Sequence, residues 1–440
     1  MRIVSVESRF AGQGKQNMTR RTLATLVFQC LHTPPKCEAV ARLAILQSRD
    51  LKHLLIHLDQ TGLAIYLLNH LFEHNLYYLL APQLQDELDQ RLRRNQARTE
   101  DMFQEFAQVI TAFEGAHLNY AVMKGFSLVP DYAPAICLRH QTDIDLHIDS
   151  ASITGSRSIL EGLGYVLESD SPSGEMKFIR QLGRQFTGMS DIYALQSASR
   201  IELHLHIWET RFQVALETTR DALAGRRLKR LRDLTFPVLA DEDVFIGQLL
   251  HAFRHFLKGW TRSSWLFEIA SIIQARLVDQ GLWYNVAHRI DSEKTAHACG
   301  FMLLLCRQLL EVRIPAMLED ALVHVLPPHL ALWVELFGFR WAGRDMAGSK
   351  LSLLVHEHFV HDPENWRREH ATLLIPRSTP SVSLESRAHG ESSRAWRRRQ
   401  ARIFLQRASF HMSRNAEYVF HNLRWRCALF ALERFKPQSA

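Results

Sequence analysis

Two short stretches decide the reading of this chain: Met123-Lys124-Gly125-Phe126-Ser127-Leu128 and, a little further on, Arg139-His140-Gln141-Thr142-Asp143-Ile144-Asp145-Leu146-His147-Ile148. From Asp143 the second stretch alternates polar and apolar residues with period two, the pattern of a half-buried β-strand. Period two sends Asp143 and Asp145 to the same face, about 7 Å apart along the strand. Two carboxylates so placed can share one or two divalent cations, and magnesium favours carboxylate oxygens together with phosphates. A second alternating run, Ile201-Glu202-Leu203-His204-Leu205-His206, carries a third acid. If it pairs beside the first, Glu202 joins the same face. A D-x-D pair with a separate acid suits two-metal phosphoryl chemistry. Alone, D-x-D equally describes a solvated edge strand with surface acids.

The first stretch is the second ingredient. Leu118 to Met123 is short, apolar and β-leaning, and it ends at Lys124-Gly125. A glycine after a strand lets backbone N–H groups approach phosphate oxygens, and a following helix start favours anions. Lys124 and Ser127 are then candidates for phosphate contacts, and Arg139 for a phosphate contact or for bracing the acids. An ordinary turn with a surface lysine would look the same.

Working outward, helical spacing dominates both flanks. Leu54, Leu55, Leu58, Leu63, Tyr66 and Leu67 recur at threes and fours. Further helices are expected over 82–94 and 98–113. Residues 115–208 read as a compact mixed α/β unit, with Ser150 as an N-cap and additional strands near 164–168 and 176–179. Past Pro237 the helical period returns and persists to about Trp341. His251 and His255 lie four apart on the first of these helices, a spacing that suits zinc, but no glutamate lies between them as HExxH requires. Lining a nucleotide or acceptor cleft and structural packing are the two readings for them. His204 shares the Glu202 face and His147 the Asp145 face, near phosphate or metal or simply packed.

These residues resemble a known family. M-K-G-F-S-L, then L-R-H-Q-T-D-I-D-L-H-I, then Glu202-Leu203-His204 and a helix with paired histidines, are similar to uncharacterised bacterial nucleotidyltransferases of the polymerase-β-like superfamily. Trp265-Leu-Phe-Glu268-Ile-Ala resembles the family's W-L-x-D-I-A block, with Glu268 in place of the commoner aspartate. Gly125-Phe126-Ser127 stands where the wider superfamily has Gly-Ser or Gly-Gly. The resemblance spans roughly residues 50–340. It implies an α+β fold: a small mixed-sheet catalytic unit flanked by N-terminal helices and an all-α C-terminal domain. It also implies Mg²⁺ (or Mn²⁺) and a nucleoside triphosphate. The expected catalytic and metal-holding residues are Asp143, Asp145 and Glu202. The expected nucleotide-binding residues are Lys124, Gly125, Ser127, Arg139, His204, His251 and His255. The acceptor stays open among a small molecule, a peptide, a protein and an RNA end. Two alternatives remain: a nucleotide-binding regulatory protein on a degenerate fold, and a toxin-like enzyme that modifies tRNA or protein.

The expected divisions are an extension at 1–47, helices at 48–114, the catalytic unit at 115–236, an all-α domain at 237–345, a linker at 346–395 and a basic helical tail at 396–440. The 440 residues are 47% hydrophobic and 22% charged, ordinary for a globular protein. Six scattered cysteines form no CxxC, which argues against a zinc cage or a disulfide framework. No apolar run approaches the ~20 residues of a transmembrane span, and no signal peptide is visible, so a cytoplasmic protein is expected. The net charge of +7 belongs to the end of the chain, where fifteen Lys/Arg face five Asp/Glu from Arg367 onward. Arg394-Ala-Trp-Arg397-Arg398-Arg399 and Asn422-Leu-Arg-Trp-Arg426 mix basic and aromatic residues, which suits an anionic partner, whether nucleic acid, a protein or a membrane surface. A solvated arginine face on a packed helix is the alternative.

Overall fold

A computed structural model describes residues 18–172, 174–184, 192–208, 214–216, 221–259, 262–290, 292–343, 349–374 and 392–434. The architecture is α+β, with one seven-stranded mixed sheet and helices on both sides of it in sequence. The strands are β1 (Tyr120–Val122), β2 (Ile144–Ile148), β3 (Val166–Asp170), β4 (Glu175–Gln181), β5 (Ala198–His204), β6 (Arg227–Leu231) and β7 (Leu234–Val238). Their order across the sheet is β3-β4-β5-β2-β1-β7-β6. β2 runs parallel to β5 and antiparallel to β1.

Strand alternation divides the sheet's side chains between two environments. Ile144, Leu146, Ile148, Met176, Phe178, Ile201 and Leu203 fall on one face and pack with Phe106, Val109, Ile110 and Phe113 of a long helix and with Leu160. The intervening residues, polar and charged, fall on the other face and look towards the helical body.

N-terminal to the sheet lie α1 (Arg20–Cys30), α2 (Cys37–Ala44), α3 (Ser48–Thr61), α4 (Ala64–Glu73) and α5 (Pro82–Gly115). The residues expected as a mere extension contribute Leu23, Leu26, Val27 and Phe28 to the main core; residues 1–17 of that stretch lie outside the described residues. α5 is one helix of 34 residues where the spacing suggested two. Its middle is polar for a reason the sequence does not reveal. Asn95 and Arg98 are buried, and they donate to the backbone of the segment that leads into Asp143. Asn95 Nδ2 reaches the Cys137 and Arg139 carbonyls at 2.7 and 3.1 Å, and Arg98 reaches the Gln141 carbonyl at 2.6 Å.

After β2 a short helical turn, Ser150–Ser152, leads into α6 (Ile153–Gly162); Asp149, not Ser150, is the capping side chain, and it caps that turn, its carboxylate accepting from the Ser152 N–H. Beyond the sheet come α7 (Asp241–Leu257), α8 (Ser263–Ala275), α9 (Gln280–Arg289) and α10 (Glu293–Leu310), then shorter helical pieces to Ala342. The stretch read as a linker differs from its composition. Residues 349–374 carry a short helix and α11 (Pro363–Leu374), and Leu351, Val355, Phe359, Val360 and Trp366 are buried in the main core. Their apolar anchors are spaced too irregularly among Ser, His and Pro to show a period. The remainder of that stretch, 375–391, lies outside the described residues. The basic tail forms a single helix, α12 (Ser393–Arg434), with 435–440 outside the description. No single helix among the described residues is long and apolar enough to cross a membrane.

Candidate active site

The β2–β5 register sets Asp145 opposite Glu202 and His147 opposite His204. Parallel neighbours in register share a face, so the two alternating stretches of sequence meet as one polar surface. β4 extends it: Lys177 stands opposite Glu202, and Glu175 opposite His204. Asp143 sits immediately before β2 on the same side.

Three side chains converge at its centre. One ligand atom from each of Asp145, Glu202 and His204 lies within 4.8 Å of the others, the only such group of potential metal ligands among the described residues. His204 Nε2 is 2.9 Å from Asp145 Oδ1 and 3.7 Å from Glu202 Oε2. His204 entered the sequence reading as a nucleotide contact, and the fold brings it into the acid pair itself. Asp143 stands outside this trio but within its field. Burial, together with the charges of Asp145 and Glu202, pushes the Asp143 carboxyl up to about 6. Burial works against ionised Asp145 too, yet Lys124 and His204 hold it well below the usual carboxylate range.

Two lysines balance this negative charge. Lys124 Nζ lies 2.6 Å from Asp145 Oδ1. Lys177 bridges Glu202 and Glu175, the latter at 2.7 Å, and Arg254 of α7 grips Glu175 from the far side at 2.9 Å. Neither Lys177 nor Glu175 figured in the sequence reading. The signal was present in Glu175-Met-Lys-Phe, where alternation puts the charged pair opposite buried Met176 and Phe178, but only the β4–β5 register shows what they face.

The Lys-Gly turn lies at the end of β1. Gly125 has φ +61°, in the left-handed region that favours glycine, and Gln141 Oε1 packs against its Cα side, 2.8 Å from where a Cβ would stand. Ser127 is buried in the short helical turn that follows, and its hydroxyl has no hydrogen-bond partner among the described residues. Its carbonyl is held by Lys229 of β6 at 2.6 Å. The β6–β7 hairpin that supplies Lys229 is absent from the sequence reading, because an edge strand rich in arginine and lysine shows little apolar alternation.

Arg139 is buried. Its Nε donates to Glu268 Oε1 at 3.1 Å, and Tyr66 donates to the same oxygen at 2.7 Å. Glu268 of α8 thus ties Arg139 to α4. His251 and His255 pack with Trp265, at ring-centroid distances of 4.7 and 4.3 Å. Burial and nearby cations, Lys124 among them, hold both rings far below the usual histidine range, hence neutral. His251 lines a cleft between the sheet and α7, alongside Lys124, His204, His206, Gln248 and Arg254, while His255 lies against Trp265 one turn further along the helix.

Convergent carboxylates on a mixed sheet, beside a Lys-Gly turn and under a helical roof, are the arrangement expected of a phosphoryl-transfer enzyme. The chain belongs to a nucleotidyltransferase family: the model of that family, described as uncharacterised nucleotidyltransferase, matches residues 47–311, more than half of the chain, and the protein is accordingly a transferase. The match takes in α3, α4, α5, the whole sheet and the helices through α10. No curated protein and no solved structure matches the chain.

Proposed function

We propose that this enzyme moves a nucleoside monophosphate from a nucleoside triphosphate to an acceptor hydroxyl, releasing pyrophosphate, with Mg²⁺ or Mn²⁺ as its cation. The observation that carries the reading is the in-register pairing of Asp145 with Glu202 on one buried polar face, closed by His204. The donor set fits a divalent cation. Several acids share a face, two ammonium groups now offset them, and burial together with the charges of Asp145 and Glu202 pushes Asp143 towards its neutral form. Such excess negative charge is what a bound cation relieves. Asp143, Asp145 and Glu202 would hold it, with His204 fixing the orientation of Asp145. When bound, the cation supplies charge stabilisation on the triphosphate and acidifies the attacking hydroxyl.

The chain's own groups have complementary tasks. Lys124 exchanges its ion pair with Asp145 for a contact with the triphosphate. Ser127 and the N–H groups around Gly125 receive phosphate oxygens; the unpartnered Ser127 hydroxyl supports this. The acceptor oxygen attacks the α-phosphorus in line. A new P–O bond forms, the bond to the β-phosphate's bridging oxygen breaks, and pyrophosphate leaves with that electron pair. Glu202 helps to take up the hydroxyl proton. Arg139, clamped by Glu268, acts on the acids through its charge and position, and neutral His251 lines the cleft where nucleotide or acceptor lies.

Incubation of the protein with each α-labelled triphosphate, Mg²⁺ and cell extract, followed by mass spectrometry, tests this reading. Label should pass to an acceptor with the wild type and not with Asp145→Asn. Equal labelling by the variant would overturn the assignment.

A further inference from the structure

α12 has two apolar faces and only one of them is covered. Tyr418, His421 and Trp425, spaced by three and four, are buried against the helical body. His421 and Trp425 meet the Phe337 ring at centroid distances of 5.4 and 6.1 Å, and the Tyr418 hydroxyl pairs with His370 at 3.1 Å. This face docks the helix.

Roughly the opposite side carries a second apolar stripe. Leu405, Met412, Val419, Leu423 and Phe430 succeed one another at spacings of seven, seven, four and seven. At about 100° per residue all five fall within an arc of about 40°, along about 37 Å of helix. They are 57–68% exposed, and Phe404 and Phe420 on the flanks are exposed to the same degree. A continuous exposed stripe of this kind marks a contact surface.

Its charge narrows the partner. α12 holds ten arginines and two glutamates, with no lysine or aspartate. Arg394, Arg398, Arg426 and Arg434 are exposed and fall within about 40° of the stripe's centre. Glu417 faces the body instead, paired with Arg340 at 3.0 Å. A second copy would bring arginine against arginine along this seam, with Glu433 the sole exposed acid of the helix to offset them. A nucleic acid would satisfy the arginines but leave Leu405, Met412, Val419 and Leu423 unburied, since these side chains have no aromatic face on which a base can stack. An anionic bilayer surface accepts both: the stripe enters the acyl boundary while the arginine stems extend their heads back to the phosphates.

We propose that the outward face of α12 is a peripheral binding surface for anionic lipid, holding the enzyme on a membrane without crossing it. This does not rest on the proposed transfer reaction, and its test reads no activity.

The test is flotation of the full chain with vesicles of phosphatidylcholine, with and without phosphatidylglycerol, at low and high salt. Binding to the anionic vesicles should be about tenfold or more tighter than to neutral ones and should weaken with salt. The variant Leu405→Ser/Met412→Ser/Leu423→Ser/Phe430→Ser alters only exposed side chains. It should keep its circular dichroism and melting temperature and lose flotation. Wild-type protein that stays at the bottom of the gradient, or a folded variant that floats as well as the wild type, overturns the proposal. So does a wild-type dimer that the variant loses, or tight RNA binding, if either occurs without vesicle binding.

Discussion

β2 and β5 present two surfaces made by alternate residues of the same strands. Leu146 and Leu203 are wholly buried against α5 and α6, and their partners are other apolar side chains. Asp145 and His204, one position along each strand, are almost as buried, and their partners are charges: Lys124, Glu202 and each other. The apolar face gains free energy from burial and is indifferent to chemistry. The polar face gives up some of that gain by burying carboxylates, and it holds them only because opposing charges lie within 3 Å. A face that costs stability and concentrates acid is where function is expected.

This contrast can be broken from either side, and the largest effect belongs to the polar face. Asp145→Asn keeps the shape and removes the charge; nucleotide transfer should fall about a thousandfold, the loss of several kcal/mol of charge stabilisation, as read from steady-state rates of product formation.

Glu268→Gln comes next and sharpens the boundary between the two kinds of residue. It leaves buried Arg139 without its charge partner, so denaturant unfolding should show a loss of about 3–5 kcal/mol. Leu203→Ala, on the apolar face, should cost about 2–5 kcal/mol in the same measurement, from lost burial plus a cavity. Its transfer rate per folded molecule should stay near that of the wild type. A Leu203→Ala protein that is stable but inactive would erase the distinction.

The smallest effect is expected at the turn. Ser127→Ala removes a hydroxyl that spends no hydrogen bond in the free protein, so stability should hold. Triphosphate affinity should drop by about 1 kcal/mol, or several-fold, the value of one hydrogen bond, as measured by equilibrium binding.

Much of the polar face was legible in the sequence, because strand alternation is local. Asp145, Glu202 and His204 each announce their side of a strand, and Lys124-Gly125 announces a turn. What stayed hidden depends on pairing between distant segments. Lys177 and Glu175 have meaning only through the β4–β5 register. Asn95 and Arg98 look like surface residues of a helix until the Cys137–Gln141 backbone is laid against them. Arg139 reads as either a phosphate contact or a brace for the acids, and its pairing with Glu268 and Tyr66, remote in sequence, does not show in the local pattern. The buried segment at 349–374 failed for the opposite reason: its composition is that of a loop, while a few large side chains anchor it.

The central claim is that the acids on the polar face form a cation-dependent triphosphate site. Calorimetric titration of the full chain with a nucleoside triphosphate, with and without Mg²⁺, tests it most directly when repeated on Asp143→Asn/Asp145→Asn. The account predicts that Mg²⁺ tightens binding to the wild type and leaves the variant unaffected. Wild-type binding that ignores Mg²⁺, or a variant that responds to it as the wild type does, would contradict it.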